Sequence, residues 1–253
     1  MIPPGTRAGA LKTRGFALTI GLGLLLAACT SGSELLDTDP DEQYAAAIEE
    51  AETATADDIV TTLTAIKPEN EVLTWRGTPG ESAVLVVTWT DAPPDTTARD
   101  SVTTGEDIWV TAVPEVQDFC NDLDLSGDAL NLRLNQRLGL PPDSNYDRFV
   151  ELWVDPDDLF RPCPDPQITD RQCELDYPEP ERFLQVSDDH RAWFEDLRAS
   201  SYDEDGYPWT RLGYTYDWGA PDDPVGPSEF VIRSDAVVAV ASITPTEAYC
   251  TTD

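Results

Sequence analysis

Two carboxylates beside a group of aromatic residues near the C-terminus could carry out chemistry. Asp217 and Glu229 lie on either side of a loop, and Tyr214 and Tyr216 precede them. Paired carboxylates hydrolyse glycosidic bonds by acid–base catalysis when they stand about 5–10 Å apart. Tyrosine rings would supply contacts to the substrate. The pair suggests a hydrolase, although acidic residues are so abundant here that spacing alone proves nothing.

The aromatic residues alternate in a stretch that can be interpreted as a strand. Tyr214, Tyr216 and Trp218 would then share one face, and Arg211 and Asp217 the other. An aromatic face is most often core, because aromatic rings supply much of a domain's buried area. The alternative is a platform on which a sugar or another flat ligand stacks, with Arg211 and Asp217 beside it.

The one histidine, His190, falls in the first turn of a predicted helix. A histidine there is most often a surface or capping residue, and a catalytic acid or base is the alternative. A cysteine nucleophile paired with it would require one thiol to stay unpaired. No phosphate-binding loop and no serine-hydrolase or zinc-protease motif accompanies it.

Asp122, Asp124 and Asp128 have a spacing that resembles the first half of an EF-hand calcium loop. Counted from Asp122, the twelfth position is Arg133, so the bidentate acid that such a loop requires is missing. We therefore predict a turn into a helix and no cofactor. A calcium site built from these aspartates in another way is the alternative.

The N-terminus has the pattern of a secretory signal peptide. Arg7, Lys12 and Arg14 stand in a segment without acids, and the apolar run 15–28 follows it. A basic segment followed by a short apolar one is typical of such signals. A spanning helix needs about 20 apolar residues, so this run is too short for one.

The apolar run ends in Leu26, Ala27, Ala28 and Cys29, which together resemble the lipobox of bacterial lipoproteins. The resemblance implies cleavage before Cys29, a thioether diacylglycerol on its sulfur and acylation of its new amino group. Several acyl chains hold a protein stably on a membrane. We therefore expect an extracytoplasmic protein anchored by lipid to a bacterial membrane. An ordinary signal peptide that happens to contain a cysteine is the alternative.

Apart from Cys29, the chain has four cysteines: Cys120, Cys163, Cys173 and Cys250. An even number in an exported protein indicates two disulfides. We predict Cys163–Cys173, which closes a short proline-rich loop, and Cys120–Cys250, which ties the middle of the chain to its end. Zinc is the competing interpretation, but there is no C-x-x-C motif and a single histidine.

The charge of the chain is strongly negative, with 49 acidic against 16 basic residues and a formal net charge of −33. Such a charge excludes casual binding to nucleic acid or to an anionic lipid surface. Halophilic proteins use an acidic, lysine-poor surface to stay soluble in strong salt, where charges are screened within about 3 Å at 1 M. A surface made for a cationic partner or a divalent metal is the alternative.

Composition divides the chain into four parts. We expect a signal peptide over 1–28, a flexible acidic tether over 29–41, a helical segment over 42–67 and a single domain over 68–253. The tether is rich in Ser, Gly, Asp, Glu and Pro and lacks periodicity. Pro68 ends the helical pattern.

Within the domain, about seven strands alternate with helices. Consecutive hairpins favour a mainly antiparallel sheet, so the predicted fold class is α+β with helices on one face of the sheet. Residues 161–181 are too rich in proline for regular structure. The predicted helices span 41–66, 128–138 and 187–199, and the predicted strands include 72–75, 83–89, 108–113, 149–154 and a closing hairpin of 229–233 with 236–243.

Two functions from different classes fit these observations. The first is a non-catalytic module of the cell envelope that binds a small ligand or a partner protein. The second is an envelope hydrolase, for example a carbohydrate-active one, that uses Asp217 and Glu229. The predicted anchor, tether and disulfides, together with the lack of a nucleophile–base motif, favour the first.

Overall fold

The apolar, β-branched runs of the sequence form the strands. A computed structural model describes residues 39–93, 101–179, 185–203 and 205–251 of the chain. Within these ranges the strands are β1 (Val84–Thr90), β2 (Ser101–Thr103), β3 (Ile108–Ala112), β4 (Arg148–Val154), β5 (Leu159–Phe160), β6 (Tyr214–Tyr216), β7 (Val225–Ser228), β8 (Phe230–Ile232) and β9 (Val237–Pro245).

Seven of these strands lie side by side in the order β2-β9-β4-β1-β3-β8-β5, and β6 pairs with β7 in a second, smaller sheet. The strand pairs described are antiparallel. This confirms the predicted α+β class with a mainly antiparallel sheet. Two of the strands, β2 and β7, are not among the strands that the sequence predicted.

Five α-helices accompany the sheets in the described ranges. A shared apolar cluster joins three of them to one face of the large sheet through Leu130 and Leu134 from the helices and Leu85 and Phe149 from the strands. No helix of the described residues combines the length and apolar character that a membrane span requires. The helices are α1 (Pro40–Glu52), α2 (Glu115–Asn121), α3 (Gly127–Arg137), α4 (Asp188–Ser200) and α5 (Thr246–Tyr249), of which α2, α3 and α5 contribute to this cluster.

The large sheet is strongly curled. Strands β2 and β3 occupy its first and fifth positions, yet only residues 104–107 connect them. In a flat sheet these strands would lie about 19 Å apart, which is more than such a short turning connection spans. A bulge between β4 and β9 at Glu151 and Leu152 adds to the curvature. The concave face therefore encloses its own core, in which Val86, Val240 and Phe230 meet.

The four cysteines pair as predicted. Cys120 bonds to Cys250 with their Cα atoms 5.1 Å apart, and Cys163 bonds to Cys173 at 6.2 Å. The first bond ties α2 to the end of α5, and the second closes a loop of irregular backbone. The single helical turn predicted before Cys250 is α5.

The N-terminal helix is shorter than predicted. Its apolar spacing is correct, because Tyr44, Ile48 and Ala51 are buried, but α1 ends at Glu52. A 3₁₀ turn capped by Thr55 follows, and the chain then continues as extended backbone. Leu63 and Ile66 are buried without forming a helical face, because their backbone N–H groups donate to the carbonyls of Arg171 and Ile168 instead of to residues four positions earlier.

The predicted closing hairpin is wrong, although both of its strands exist. β8 pairs with β3 and β5, whereas β9 pairs with β2 and β4. The turn between them packs across the β2–β3 connection, where the Thr104 N–H donates to the Ala236 carbonyl and the Asp235 N–H to the Thr104 carbonyl. Because the sheet is curled, the consecutive strands β8 and β9 pair with different neighbouring strands. Of the predicted strand over 72–75, a single bridge between Trp75 and Val84 remains.

Candidate functional site

A cavity of about 880 Å³ opens where β1 and β3 separate. The ladder between these strands ends at the pair Val87 and Thr111. Beyond that pair β1 stays with β4 and β3 stays with β8. The strands therefore diverge, and residues 88–90 and 108–110 all line the space between them.

The wall of the cavity is mostly apolar and rich in aromatic rings. The side away from the sheet is completed by Leu197 of α4, by Ser201, which caps the end of α4, by the segment 207–209 and by β6. The rings of Trp109 and Trp209 pack edge to face with centroids 6.4 Å apart. The aromatic residues that line the cavity are Trp89, Trp109, Tyr146, Phe149, Tyr207, Trp209 and Tyr216.

Glu229 brings a carboxyl group into this wall. Its backbone N–H donates to the Gly213 carbonyl at 2.9 Å. Its side-chain Oε2, in contrast, is shielded from solvent and has no hydrogen-bond partner among the described residues. Burial raises the pKa of Glu229 to about 8. A buried carboxyl without a partner is costly and occurs most often where function requires it.

Two further polar groups at the cavity wall also lack partners within the described ranges. Thr111 and Trp209 are only 6% and 5% exposed, and neither the Thr111 Oγ1 nor the Trp209 Nε1 makes a hydrogen bond there. Thr111 follows the last residue of β3 that pairs with β8, and Glu229 precedes its partner Phe230. A donor–acceptor hydroxyl and a carboxyl therefore both stand where this ladder ends.

Asp217, the other carboxylate predicted from the sequence, is fully occupied by structural contacts. It is completely buried, and Arg133 donates to both of its oxygens at 2.7 Å. Arg137 donates to its Oδ2 at 3.1 Å and the Gly219 N–H to its Oδ1 at 3.2 Å. This carboxylate holds β6 to α3, and it has no oxygen left for a substrate.

The remaining predicted ligand contacts lie on β6 or within three residues of it, and all four are buried. The Arg211 guanidinium donates to the Glu52 carbonyl at 2.8 Å. The Tyr214 hydroxyl and the Trp218 Nε1 donate to other backbone carbonyls. This burial leaves no open face on which a flat ligand could stack. Of the five predicted residues, Tyr216 is the one that lines the cavity.

His190 is a buried residue, so its prediction as a surface or capping residue is wrong. It is 4% exposed, and its Nε2 donates to the Cys163 carbonyl at 2.8 Å. Ser187 caps α4 instead. Burial lowers the pKa of His190. The first turn of α4 faces the loop that the Cys163–Cys173 disulfide closes. The pattern of polar and apolar residues in the sequence could not predict that packing.

The three aspartates of the EF-hand-like stretch lie where the predicted turn leads into a helix. Asp122 ends α2, and Asp128 stands in the first turn of α3. The Gly127 N–H, which opens α3, donates to the Glu247 carboxylate at 3.0 Å. In the described parts of the chain, no group of three or more His, Cys, Asp or Glu side chains is placed to hold a metal ion.

Arg161 is a buried cation that the sequence did not single out. It is 0% exposed, and it donates to the carbonyls of Thr64, Gln167 and Asp170. Burial lowers its pKa to about 10. Gly213, at φ +75°, has no room for a side chain because a Cβ would stand 2.7 Å from the Arg161 Cδ. A single arginine in a proline-rich loop carries no periodic pattern that would predict this packing.

No family model, no curated protein and no solved structure matches this chain. The chemistry of the site therefore has to be inferred from the groups that line it. These are an apolar, aromatic wall and three polar groups without partners, which belong to Thr111, Trp209 and Glu229.

We predict that Asp217→Asn destabilises the fold by about 3 kcal/mol, because it leaves Arg133 and Arg137 without their shared counter-ion. Urea unfolding at pH 7 measures the loss. Asp222→Asn removes the same charge from an exposed position nearby and should change the free energy of unfolding by less than about 0.5 kcal/mol. Equal effects of the two substitutions would contradict the structural role of Asp217.

We predict that Glu229→Gln stabilises the protein at alkaline pH but not at acidic pH. Because the folded-state pKa is raised from 4.5 to about 8, the native protein holds this proton more tightly than the unfolded chain does. Stability contributed by the neutral form is therefore lost as the pH rises through this interval.

Thermal unfolding at pH 5 and pH 9 measures the effect. The Glu229→Gln variant should match the wild type at pH 5 and melt at least about 4 °C higher at pH 9. Glu81→Gln, which changes an exposed carboxylate, is the matched control and should show no such difference. A variant that melts below the wild type at pH 9 would refute the unpaired state of Glu229.

Proposed function

We propose that this protein is a lipid-anchored, extracytoplasmic module of a bacterial envelope that binds a small, largely apolar molecule in the cavity between β1 and β3. The observation that carries the proposal is the cavity of about 880 Å³ with three buried polar groups that lack partners in the described chain. Ligand pockets of about 300–1,000 Å³ with a mostly apolar wall and a few polar groups are typical of small-molecule sites.

The anchor rests on the sequence at Cys29, which lies outside the described residues. The two disulfides agree with it, because such bonds persist in oxidising compartments outside the cytoplasm. A net charge of −33 would keep the folded part away from anionic lipid, so a tether would be needed to hold it near the membrane. The acidic surface also suits solubility in strong salt, and it disfavours nucleic acid as a partner.

A binding role is better supported than hydrolysis by paired carboxylates. That mechanism needs an acid and a second, ionised carboxylate at one cleft. Asp217 is neutralised by Arg133 and Arg137 and does not line the cavity, so the pair of Asp217 with Glu229 that the sequence suggested does not form. Of the two other acids at the wall, Asp107 is held by the Trp193 Nε1 and the Ser234 N–H. The cavity retains polar groups that can orient a ligand.

We predict that the purified protein binds the uncharged fluorophore N-phenyl-1-naphthylamine in a 1:1 complex with enhanced fluorescence. Thr88→Trp, which adds a large ring to the cavity wall, should weaken this binding at least about tenfold. Val72→Trp adds the same ring at a residue that is 64% exposed and should leave binding unchanged. Circular dichroism verifies that both variants fold. A wild-type protein that does not bind the fluorophore would exclude an accessible cavity.

We predict that Cys29→Ser abolishes lipid attachment and leaves the precursor uncleaved. The thiol is the acceptor of the diacylglycerol that the lipobox implies, and a hydroxyl cannot replace it. Labelling with radioactive palmitate and the size of the protein from bacteria that express the full chain measure both effects. Wild-type cells treated with globomycin are the control and should accumulate the unprocessed precursor. A Cys29→Ser protein that still incorporates palmitate would refute the anchor.

A further inference from the structure

We propose that the ligand of the cavity is a hydrophobic organic cation, such as an amine with an apolar body, whose charge is neutralised by Glu229. This inference rests on the proposed function, because it assigns a chemical class to the molecule that the cavity binds. It depends on the sign of the charged groups at the cavity wall, on the aromatic rings around them and on a comparison with buried charged side chains elsewhere in the fold.

The charged groups of the cavity wall are all acidic. They are Glu106, Asp107 and Glu229, and the lining residues include no lysine, arginine or histidine. The Asp107 carboxylate is already engaged, because the Trp193 Nε1 and the Ser234 N–H donate to it at 2.8 Å. Glu229 has no such donor. These carboxylates would repel an anionic ligand such as a fatty acid, whereas a cation would supply the missing partner of Glu229.

Two buried charges elsewhere in the described fold have partners of the opposite sign. Asp217 has Arg133 and Arg137 at 2.7 and 3.1 Å, and Arg161 lies 3.9 Å from the Asp170 carboxylate. The chain therefore does place arginines beside buried acids. The absence of a cation around Glu229 in the described structure distinguishes this carboxyl from Asp217 and makes an external counter-ion the simplest way to satisfy it.

The aromatic wall favours an organic cation over a metal ion. The face of an aromatic ring attracts a cation, and tryptophan does so most strongly. Trp89, Trp109 and Trp209 all line the cavity. Calcium and magnesium instead need six or more oxygen ligands, and a single free carboxyl beside indole rings does not supply them. An apolar body on the ligand would also fill the space beside Val110 and Leu152.

The charge of the whole molecule supports the same choice. A net charge of −33 attracts cations and repels anions before they reach the cavity. This long-range field also attracts cations to the surface without specificity, so surface attraction has to be separated from binding in the cavity. Stoichiometry, added salt and a charge-matched variant provide that separation.

The test compares three ligands with the same ten-carbon chain: decyltrimethylammonium, decan-1-ol and decanoate. Isothermal titration calorimetry at pH 8.5 in 0.5 M NaCl measures affinity and stoichiometry. We expect decyltrimethylammonium to bind 1:1 and at least tenfold more tightly than either of the others. Glu229→Gln should weaken binding of the cation at least tenfold and leave binding of decan-1-ol unchanged. Glu81→Gln, the exposed charge-matched control, should bind all three as the wild type does.

The pH dependence of binding gives a second, independent measurement. The quaternary ammonium keeps its charge at every pH, so a change in affinity reports on the protein. A cation requires the ionised form of Glu229, and the affinity should fall at least tenfold between pH 8.5 and pH 6 because the competent form becomes a minority. The Glu229→Gln variant should show a flat profile.

The other ionisable groups near Glu229 differ from it in their surroundings. The Glu115 carboxylate accepts a hydrogen bond from the Ser228 N–H at 2.8 Å, and burial raises the pKa of Tyr146 and of Tyr216 above the usual range, which keeps both phenols neutral at pH 8.5. The ionisable groups that face this region from the neighbouring elements are Glu106, Asp107, Glu115, Tyr146, Tyr207, Tyr214 and Tyr216.

Two outcomes would overturn the inference. If decan-1-ol or decanoate binds as tightly as the cation, or if Glu229→Gln leaves the affinity of the cation unchanged, the ligand is not selected by charge. Binding of N-phenyl-1-naphthylamine would then still support the proposed function. If neither that fluorophore nor any of the three ten-carbon ligands binds, the proposed function fails as well.

Discussion

The ion cluster of Asp217 with Arg133 and Arg137 is the interaction on which the site depends. It joins the small β6–β7 sheet to α3, and α3 in turn packs on the large sheet. Arg137 also donates to the Val225 carbonyl and accepts from the Thr215 hydroxyl through its own carbonyl. These contacts fix both strands of the small sheet. Because residues 215 and 216 line the cavity, its wall away from the large sheet is held in place by one buried carboxylate.

Charge is distributed unevenly between the surface and the interior of this protein. The chain has three times as many acidic as basic residues, yet Arg133 and Arg137 both bind the buried Asp217, and the buried Arg161 donates to backbone carbonyls. Glu229 differs from Asp217, because burial raises its pKa and no salt bridge of the described residues offsets that burial. Burial of this carboxyl therefore has a cost in stability that no ion pair recovers.

The sequence predicted the parts of this fold that depend on local pattern. Alternating apolar residues placed β1, β3 and β4 within one or two residues, and the cysteine count gave both disulfides. The curl of the sheet could not be predicted from the sequence, since it depends on which strands become neighbours. For that reason the predicted pairing of β8 with β9 was wrong. Glu229 was named as a site residue because of its type, but the burial that makes it unusual is a property of the tertiary structure.

The cavity itself has no counterpart in the sequence, because it forms where two strands that are paired at one end diverge at the other. The structure supplies support directly behind the wall. The Trp89 Nε1 donates to the Thr246 hydroxyl at 2.8 Å, and Phe149 stacks on Tyr249 with ring centroids 4.3 Å apart.

The helical turn that contributes these contacts is tied to α2 by the Cys120–Cys250 disulfide, which closes a loop of 130 residues. Long loops give disulfides their largest effect on the unfolded chain, by about 4–5 kcal/mol in the chain-entropy model. Covalent closure therefore lies next to the residues that border the cavity. The disulfide restrains the helical turn that packs behind Trp89 and Phe149, so this side of the wall is supported by a long-range covalent bond as well as by packing.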